Sequence, residues 1–293
     1  MQIFDDNSIR IHPVGGLGNQ LFIWAAGLSL ARRTGLPLEV DVSQLRTDPK
    51  RQPELLSFDS GCRVVTPDQP KRRSIRAKGR GSNRSFFAEH SYRFDHRYED
   101  LEGPVDLSGY FQSWRYFHNA QVEIVKRINA ITTPTEWFLE RREELFARNE
   151  PVLVVHVRFG DYLEPQVAAL HGQSSLAYYR RALGVMSDLG INGRVLAFSD
   201  DTRRAQEWLG NLADAKVVAP PVDSPPIESL ALMGHCDAHI LGNSTFGWWG
   251  ATLARPGRLG PVIAPRPWFG TLAHDTRDLL WPEWLTVERR DFT

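Results

Sequence analysis

The chain of 293 residues contains only two cysteines, Cys62 and Cys236. That number excludes a disulfide-stapled scaffold and a cysteine-rich zinc site. Both read as plain thiols, in keeping with a reducing compartment. There is no excess charge of either sign, because 35 Lys and Arg balance 35 Asp and Glu. This excludes a globally basic nucleic-acid binder and an acidic disordered chain. Long apolar runs are missing: the longest, residues 21–31, falls short of the ~20 residues that a membrane span needs. The acidic start at Met1 carries no apolar signal region, so the expectation is a cytoplasmic protein without a signal peptide. No short-period repeat argues for a solenoid. No Asp-x-Asp occurs, and no metal is expected. What the chain does have is 42% hydrophobic residues, enough for one large core or two domains.

The second half shows the clearer pattern. Residues 152–157 form a nearly continuous apolar run, the mark of a strand buried on both faces. Residues 175–189 have helical spacing behind a Ser that can cap it. Further strands are expected over 195–198, 216–219, 238–241 and 261–264, and helices over 202–209, 227–234 and 246–254. Alternating strands and helices indicate a doubly wound parallel sheet. The first half opens in the same way. A strand over 9–14 leads through a glycine turn into a helix with Leu17, Leu21, Trp24, Ala25 and Leu28 on one side, ending near Gly35. A strand over 38–41 follows. A strand over 105–111 and helices over 121–131 and 136–149 lead to a domain boundary at 150, giving domains 1–150 and 151–293. Residues 71–84 hold seven Lys or Arg and two Gly. They read as a solvated loop, or else as a patch for an anionic partner.

Ligands of such sheets bind beyond the carboxyl ends of the strands, which singles out four segments. Gly15-Gly16-Leu17-Gly18-Asn19-Gln20 opens a helix, where free N–H groups attract phosphate. It is not a dinucleotide fingerprint, since Leu21 stands where the third glycine would be, and not a P-loop, since no Lys-Ser/Thr follows. His156 and Arg158 share a face of the buried strand. An Arg emerging from a buried strand needs a partner, either Asp161 or a ligand phosphate that suits its planar fork. Ser199-Asp200-Asp201 precedes a helix. One aspartate is expected to cap it, and the other is free to accept hydrogen bonds from a base or ribose. Asn243-Ser244-Thr245-Phe246 again joins strand to helix, where Ser or Thr caps and small polar groups suit a pyrophosphate. Trp248 and Trp249 read as core.

Taken together, these motifs resemble glycosyltransferase family 11, the α-1,2-fucosyltransferase family. The resemblance rests on Gly-Gly-Leu-Gly-Asn-Gln-Leu-Phe at 15–22, Gly-Tyr-Phe-Gln-Ser at 109–113 and His-Val-Arg-Phe-Gly-Asp-Tyr at 156–162. His171-Gly172, Tyr178-Tyr179, Ser-Asp-Asp at 199–201, Asn-Ser-Thr-Phe-Gly-Trp-Trp-Gly at 243–250, Ala264-Pro265 and Trp268-Phe269 continue it. The chain departs from the family pattern at Phe159, where the family has a second Arg, and at Gly247, where it has Ser. Strand alternation puts Phe159 on the face opposite Arg158, as packing.

The resemblance implies an α/β fold of two Rossmann-like domains facing across a cleft, the GT-B arrangement, with acceptor binding on the first domain and GDP-sugar binding on the second. It implies inverting transfer of L-fucose from GDP-fucose to a hydroxyl, the 2-OH of galactose, without a metal or other cofactor. Arg158 would bind the diphosphate and stabilise departing GDP. Gly16, Asn19 and Gln20 would approach the phosphates from the first domain, and Asn243, Ser244, Thr245 and Phe246 from the second. His156, Ser199 and one of Asp200 or Asp201 would recognise guanine or ribose. Asp161 is the first choice as general base, followed by Glu164 and His171, and Tyr162 and His171 are candidates to meet the acceptor. The partners implied are a GDP-sugar and a glycan, including a lipid-linked one. No nucleic acid is expected, and membrane contact is at most peripheral, at the inner membrane surface through residues 71–84. Two other readings remain: a transferase using another nucleotide-linked deoxysugar, and a non-catalytic nucleotide-sugar or glycan binder, which Phe159 permits.

Overall fold

The computed structural model describes residues 7–65, 84–160, 171–210, 212, 214–254, 260–270 and 274–289. The chain forms two compact units, Met1–Thr132 with Arg277–Leu279, and Thr133–Thr276 with Leu280–Thr293. Both are α/β units with wholly parallel sheets. The expected boundary at 150 moves back because α4 (Glu136–Phe146) belongs with the second unit. The buried carboxylate of Glu228 accepts hydrogen bonds from the Thr135 N–H at 2.6 Å and the Thr135 hydroxyl at 2.7 Å. No helix among the described residues is long and apolar enough to cross a membrane.

In the first unit, β1 (Ile9–Ile11), β2 (Leu38–Asp41), β3 (Arg63–Val65), β4 (Ser85–Ala88) and β5 (Val105–Ser108) lie in the order β3-β2-β1-β5-β4. Helix α1 (Leu17–Thr34) covers one face and ends at Gly35, whose φ of 71° supplies the left-handed cap. Its Leu17, Leu21, Trp24, Ala25 and Leu28 are all buried. Gly27 is required there, because a Cβ would lie 2.5 Å from Ile11 Cγ2. Two further helices are α2 (Ser43–Thr47) and α3 (Gln121–Asn129). β5 stops three residues before the expected end at 111, since Gly109 (φ 151°) and Phe111 (φ 51°) leave the extended region. β3 and β4 were not anticipated. Both are short edge strands, and the outer residues Arg63, Ser85 and Phe86 are exposed.

Alternation sends Arg10 to the sheet face away from α1. There Glu39, Arg10 and Asp106 stand side by side at one register across β2, β1 and β5. Arg10 Nη2 donates to Glu39 Oε2 at 2.8 Å, and Arg84 joins the layer 3.7 Å from Glu39. His12, at the carboxyl end of β1, lies 3.6 Å from both Asp41 and Asp106. Burial disfavours its charged form, but the two carboxylates outweigh that and raise its pKa. Its contribution to stability is therefore complete below the unfolded value and is lost as pH rises through the raised folded value. We expect the melting-temperature gap between the wild type and His12→Gln to be widest below pH ~6.5 and to close above it. A gap that is constant from pH 5 to 9 would show that His12 stays neutral.

In the second unit, β6 (Val152–Val157), β7 (Arg194–Ser199), β8 (Ala215–Val217), β9 (Ala238–Ile240), β10 (Val262–Arg266) and β11 (Leu285–Glu288) lie in the order β8-β7-β6-β9-β10-β11. This is the doubly wound dinucleotide-fold order, with its switch point between β6 and β9. Every residue of β6 is buried. Helices α5 (Leu176–Asp188), α6 (Thr202–Leu209), α7 (Pro226–Met233) and α8 (Thr245–Thr252) fill the connections. Ser175, Asp201 and Ser244 cap α5, α6 and α8 through their side chains. Tyr178, Tyr179, Met186 and Phe159 pack with Val155 and Ile240 in the core. Trp248 and Trp249 are fully buried and pack together with Trp281 and Trp284.

Candidate functional site

The carboxyl ends of β6 and β9 converge at the switch point of the second unit. The Gly242 N–H donates to the His156 carbonyl at 2.9 Å, and the Tyr179 hydroxyl donates to the same oxygen at 3.0 Å. Gly242 has to be glycine, because a Cβ would sit 2.9 Å from the Tyr179 Oη and 3.1 Å from that carbonyl. The strand end carrying Arg158 is thereby fixed beside the N-terminus of α8.

Arg158 is one quarter exposed, and its Nη1 lies 3.1 Å from Asp200 Oδ2. The other oxygen of Asp200 accepts the Phe159 N–H at 2.9 Å. One partner of Arg158 is thus Asp200, just beyond β7, while Asp161 lies outside the described residues, as do Tyr162, Glu164 and residues 71–83. The neighbouring Asp201 accepts the Arg204 N–H at 2.9 Å and caps α6, and the Ser199 hydroxyl accepts the Asp201 N–H at 3.1 Å. The two aspartates therefore divide the work, one bracing a guanidinium and the other capping a helix. Phe159 is buried against Trp208 and beneath Arg204.

The His156 ring stacks on Phe246 at 5.9 Å and lies against Gly247, where a Cβ would come within 2.8 Å of it. Burial, reinforced by Arg158, pushes its pKa down to about 3, so the imidazole is neutral at physiological pH. Its Nδ1 has no hydrogen bond among the described residues. Asn243 is buried, and its amide donates to the His171 and Gly172 carbonyls at 2.9 Å each, which ties down the segment before α5. Ser244 accepts the Phe246 N–H at 3.3 Å, and Thr245 opens α8 half-buried. The His171 ring packs 5.4 Å from Phe269. This unit therefore offers a braced cation and a helix N-terminus side by side, a pair suited to phosphate.

The switch point of the first unit lies between β1 and β5. Gly15 turns the chain at φ 74°, and Gly16 caps α1 without a side chain and with no acidic residue in the first turn. Gln20 is buried, with its amide donating to the Gly15 and Gln52 carbonyls and its oxygen accepting the Leu55 N–H. Asn19 Oδ1 accepts from Gln112 Nε2 at 3.1 Å, so the glycine turn and the Gly109–Ser113 segment meet here. Arg51 also reaches this turn, with Nη1 3.5 Å from the place of a Gly16 Cβ. Arg51, Glu89, His12, Asp41 and Asp106 were not singled out from the sequence. Asp41 closes the expected strand 38–41 and was open to notice there, whereas Glu89 follows β4, a strand that the sequence did not reveal. No local signal marks Arg51. Among the described residues, no three His, Cys, Asp or Glu are grouped to hold a metal ion. Cys62 and Cys236 are free thiols, and burial pushes both up to about 12.

The sequence profile described as glycosyl transferase family 11 matches residues 74–288. The chain belongs to that family. Among its relatives, the α-1,2-colitosyltransferase of Escherichia coli is 28% identical over 192 residues, covering 64% of each chain. The O-antigen biosynthesis glycosyltransferase WbnK of Escherichia coli is 26% identical and covers 93% of this chain and 98% of its own. The galactoside α-(1,2)-fucosyltransferase 2 of Sus scrofa is 24% identical over 83% of this chain and 69% of its own. Among solved structures, the NodZ α-1,6-fucosyltransferase soaked with GDP-fucose matches with a TM-score of 0.53 at 17% identity, covering 89% of this chain and 96% of its own. A family 9 glycosyl transferase from Veillonella parvula also reaches a TM-score of 0.53, at 11% identity over 100% of this chain and 90% of its own. The fold of this family 11 chain is thus the α/β GT-B fold that its motifs imply, and the chain is a glycosyltransferase.

Proposed function

We propose that the protein transfers L-fucose from GDP-fucose to a glycan hydroxyl, the 2-OH of galactose, with inversion and without a metal. The observation that carries this reading is Arg158 at the switch point, braced by Asp200 at 3.1 Å and set beside the N-terminus of α8. As the bond from the anomeric carbon to the diphosphate breaks, negative charge grows on the departing GDP. A fixed guanidinium and a helix dipole stabilise that charge in place of a divalent cation. The acceptor oxygen attacks the opposite face of the anomeric carbon, and its proton goes to a general base. Asp161 is proposed for that role, with Glu164 and His171 as the alternatives, and Tyr162 beside the acceptor. His156, neutral under these conditions, is proposed to face the nucleoside. The acceptor is proposed to bind the first unit, and the basic residues 71–80 are proposed to suit a lipid-linked glycan at the inner membrane surface; Arg84, the last of the basic run, is instead buried against Glu39 and Asp106.

A second reading exchanges fucose for another nucleotide-linked deoxyhexose, and the 28% identity to a colitosyltransferase favours it. Isothermal titration with GDP, ADP and UDP in EDTA comes first. Selective GDP binding is expected, after which GDP release from candidate donors, with and without galactosides, separates the two sugars. Preference for ADP or UDP would overturn the donor class. GDP binding without release on any acceptor would leave a binding protein.

A further inference from the structure

Glu89 lies one residue beyond β4, at the carboxyl edge of the first unit's sheet, and its N–H donates to the Ser108 carbonyl of β5 at 2.9 Å. One carboxylate oxygen, Oε2, accepts two consecutive backbone N–H groups, Tyr110 at 3.0 Å and Phe111 at 2.8 Å. Between β5 and these groups stands Gly109, at φ 151°, where a Cβ would come within 2.5 Å of the Glu89 Cβ. Glycine is therefore required at 109 beside the Glu89 side chain. Phe111 follows at φ 51° and is fully buried. A bulky residue keeps that backbone conformation only where its surroundings impose it. The next residue, Gln112, is buried and donates to Asn19 Oδ1 at 3.1 Å.

We propose that Glu89 is a positioning residue: by holding the Tyr110 and Phe111 N–H groups it fixes the left-handed turn after β5, and through Gln112 it sets Asn19 at the head of α1. Its catalytic consequence rests on the transfer reaction proposed above, whereas the structural relay does not. The geometry makes the relay sensitive to protonation, because an ionised carboxylate accepts two N–H groups better than a neutral acid does. Burial pushes the Glu89 carboxyl up to about 7, against the pull of the Tyr110 and Phe111 N–H groups. The groups that face it are Asp95, which raises it further, the hydroxyl of Tyr116, and Tyr92. Arg97 sits nearby but pairs with Asp95 and donates to the Ala88 carbonyl. The second oxygen, Oε1, is buried with no hydrogen bond of good geometry among the described residues.

The test follows amide resonances of the full chain by NMR from pH 5.5 to 8.5. In the wild type, the Tyr110 and Phe111 backbone amides and the Asn19 side-chain amide are expected to titrate together with a midpoint at about 7. Glu89→Gln, which keeps an accepting oxygen and removes the ionisation, should flatten all three. Gln112→Ala should leave Tyr110 and Phe111 titrating and silence Asn19. An Asn19 amide that does not titrate in the wild type, or still titrates in Gln112→Ala, overturns the relay. Titration of Phe111 that survives in Glu89→Gln overturns the assignment to Glu89. If Glu89→Gln does not fold, the wild type and Gln112→Ala decide. In a transfer assay the wild type should gain kcat/KM as pH rises through the same midpoint, and Glu89→Gln should lose that step. Absence of turnover with every donor would strike the functional reading and leave the amide titration to judge the relay.

Discussion

Replacing Arg158 with Ala is expected to lower kcat by about 10²–10³-fold, the usual cost of removing a group aimed at developing charge. The side chain is one quarter exposed and paired with Asp200, so the fold should survive and GDP affinity should fall as well. Arg158→Lys should recover only part of the loss, since an ammonium cannot present the planar fork. Asp200→Asn gives the discriminating comparison. It can keep the bond from the Phe159 N–H while removing the charge that braces the guanidinium, so its loss should be smaller than that of Arg158→Ala and should depend on it in a double-mutant cycle. Steady-state kinetics at saturating donor read all of these. Wild-type kcat in Arg158→Ala would remove this residue from the mechanism.

Gly160→Ala should have the second-largest effect although it deletes nothing. A Cβ at this position would lie 2.3 Å from Asp200 Oδ2 and 3.1 Å from Arg158 Nη2. Asp200 cannot easily yield, because its other oxygen holds the Phe159 N–H. Either the ion pair opens or the end of β6 shifts. A displacement of that order near reacting groups costs about a hundredfold in kcat. The decisive measurement is coupling: in an Asp200→Ala background the methyl group has room, so Gly160→Ala should add little to the loss. Full additivity of the two substitutions would mean that the glycine acts elsewhere.

The parts of this fold that were legible in the sequence are those where local pattern and burial agree. β2, β6 and α6 have their expected bounds, since Leu38–Asp41 and Val152–Val157 are buried runs and Asp201 caps Thr202–Leu209. The edge strands β3, β4 and β11 were not legible. They are short and partly exposed, and pairing rather than composition holds them in place. Within the site, the position of Arg158 followed from alternation along a buried strand, and so did the burial of Phe159. The bracing of Arg158 by Asp200 did not, because the two are 42 positions apart in sequence and meet only through adjacent strands. The same holds for Asn19 and Gln112, each inside a recognisable motif, whose contact across the switch point is a tertiary fact.

The chain leaves its first unit at Thr132 and returns to it only at Arg277–Leu279. The returning carboxylate of Asp278 accepts the Phe94 N–H at 3.1 Å and lies 3.6 Å from Arg115, whose guanidinium covers the Phe94 ring. During synthesis, then, the amino-terminal unit leaves the ribosome without one of its own parts, and its aromatic cluster around Phe94 waits for nearly the whole of the rest of the chain. Domain-by-domain folding from the N-terminus would therefore leave the first unit without the Asp278 contacts, and a fragment ending at residue 132 lacks them altogether.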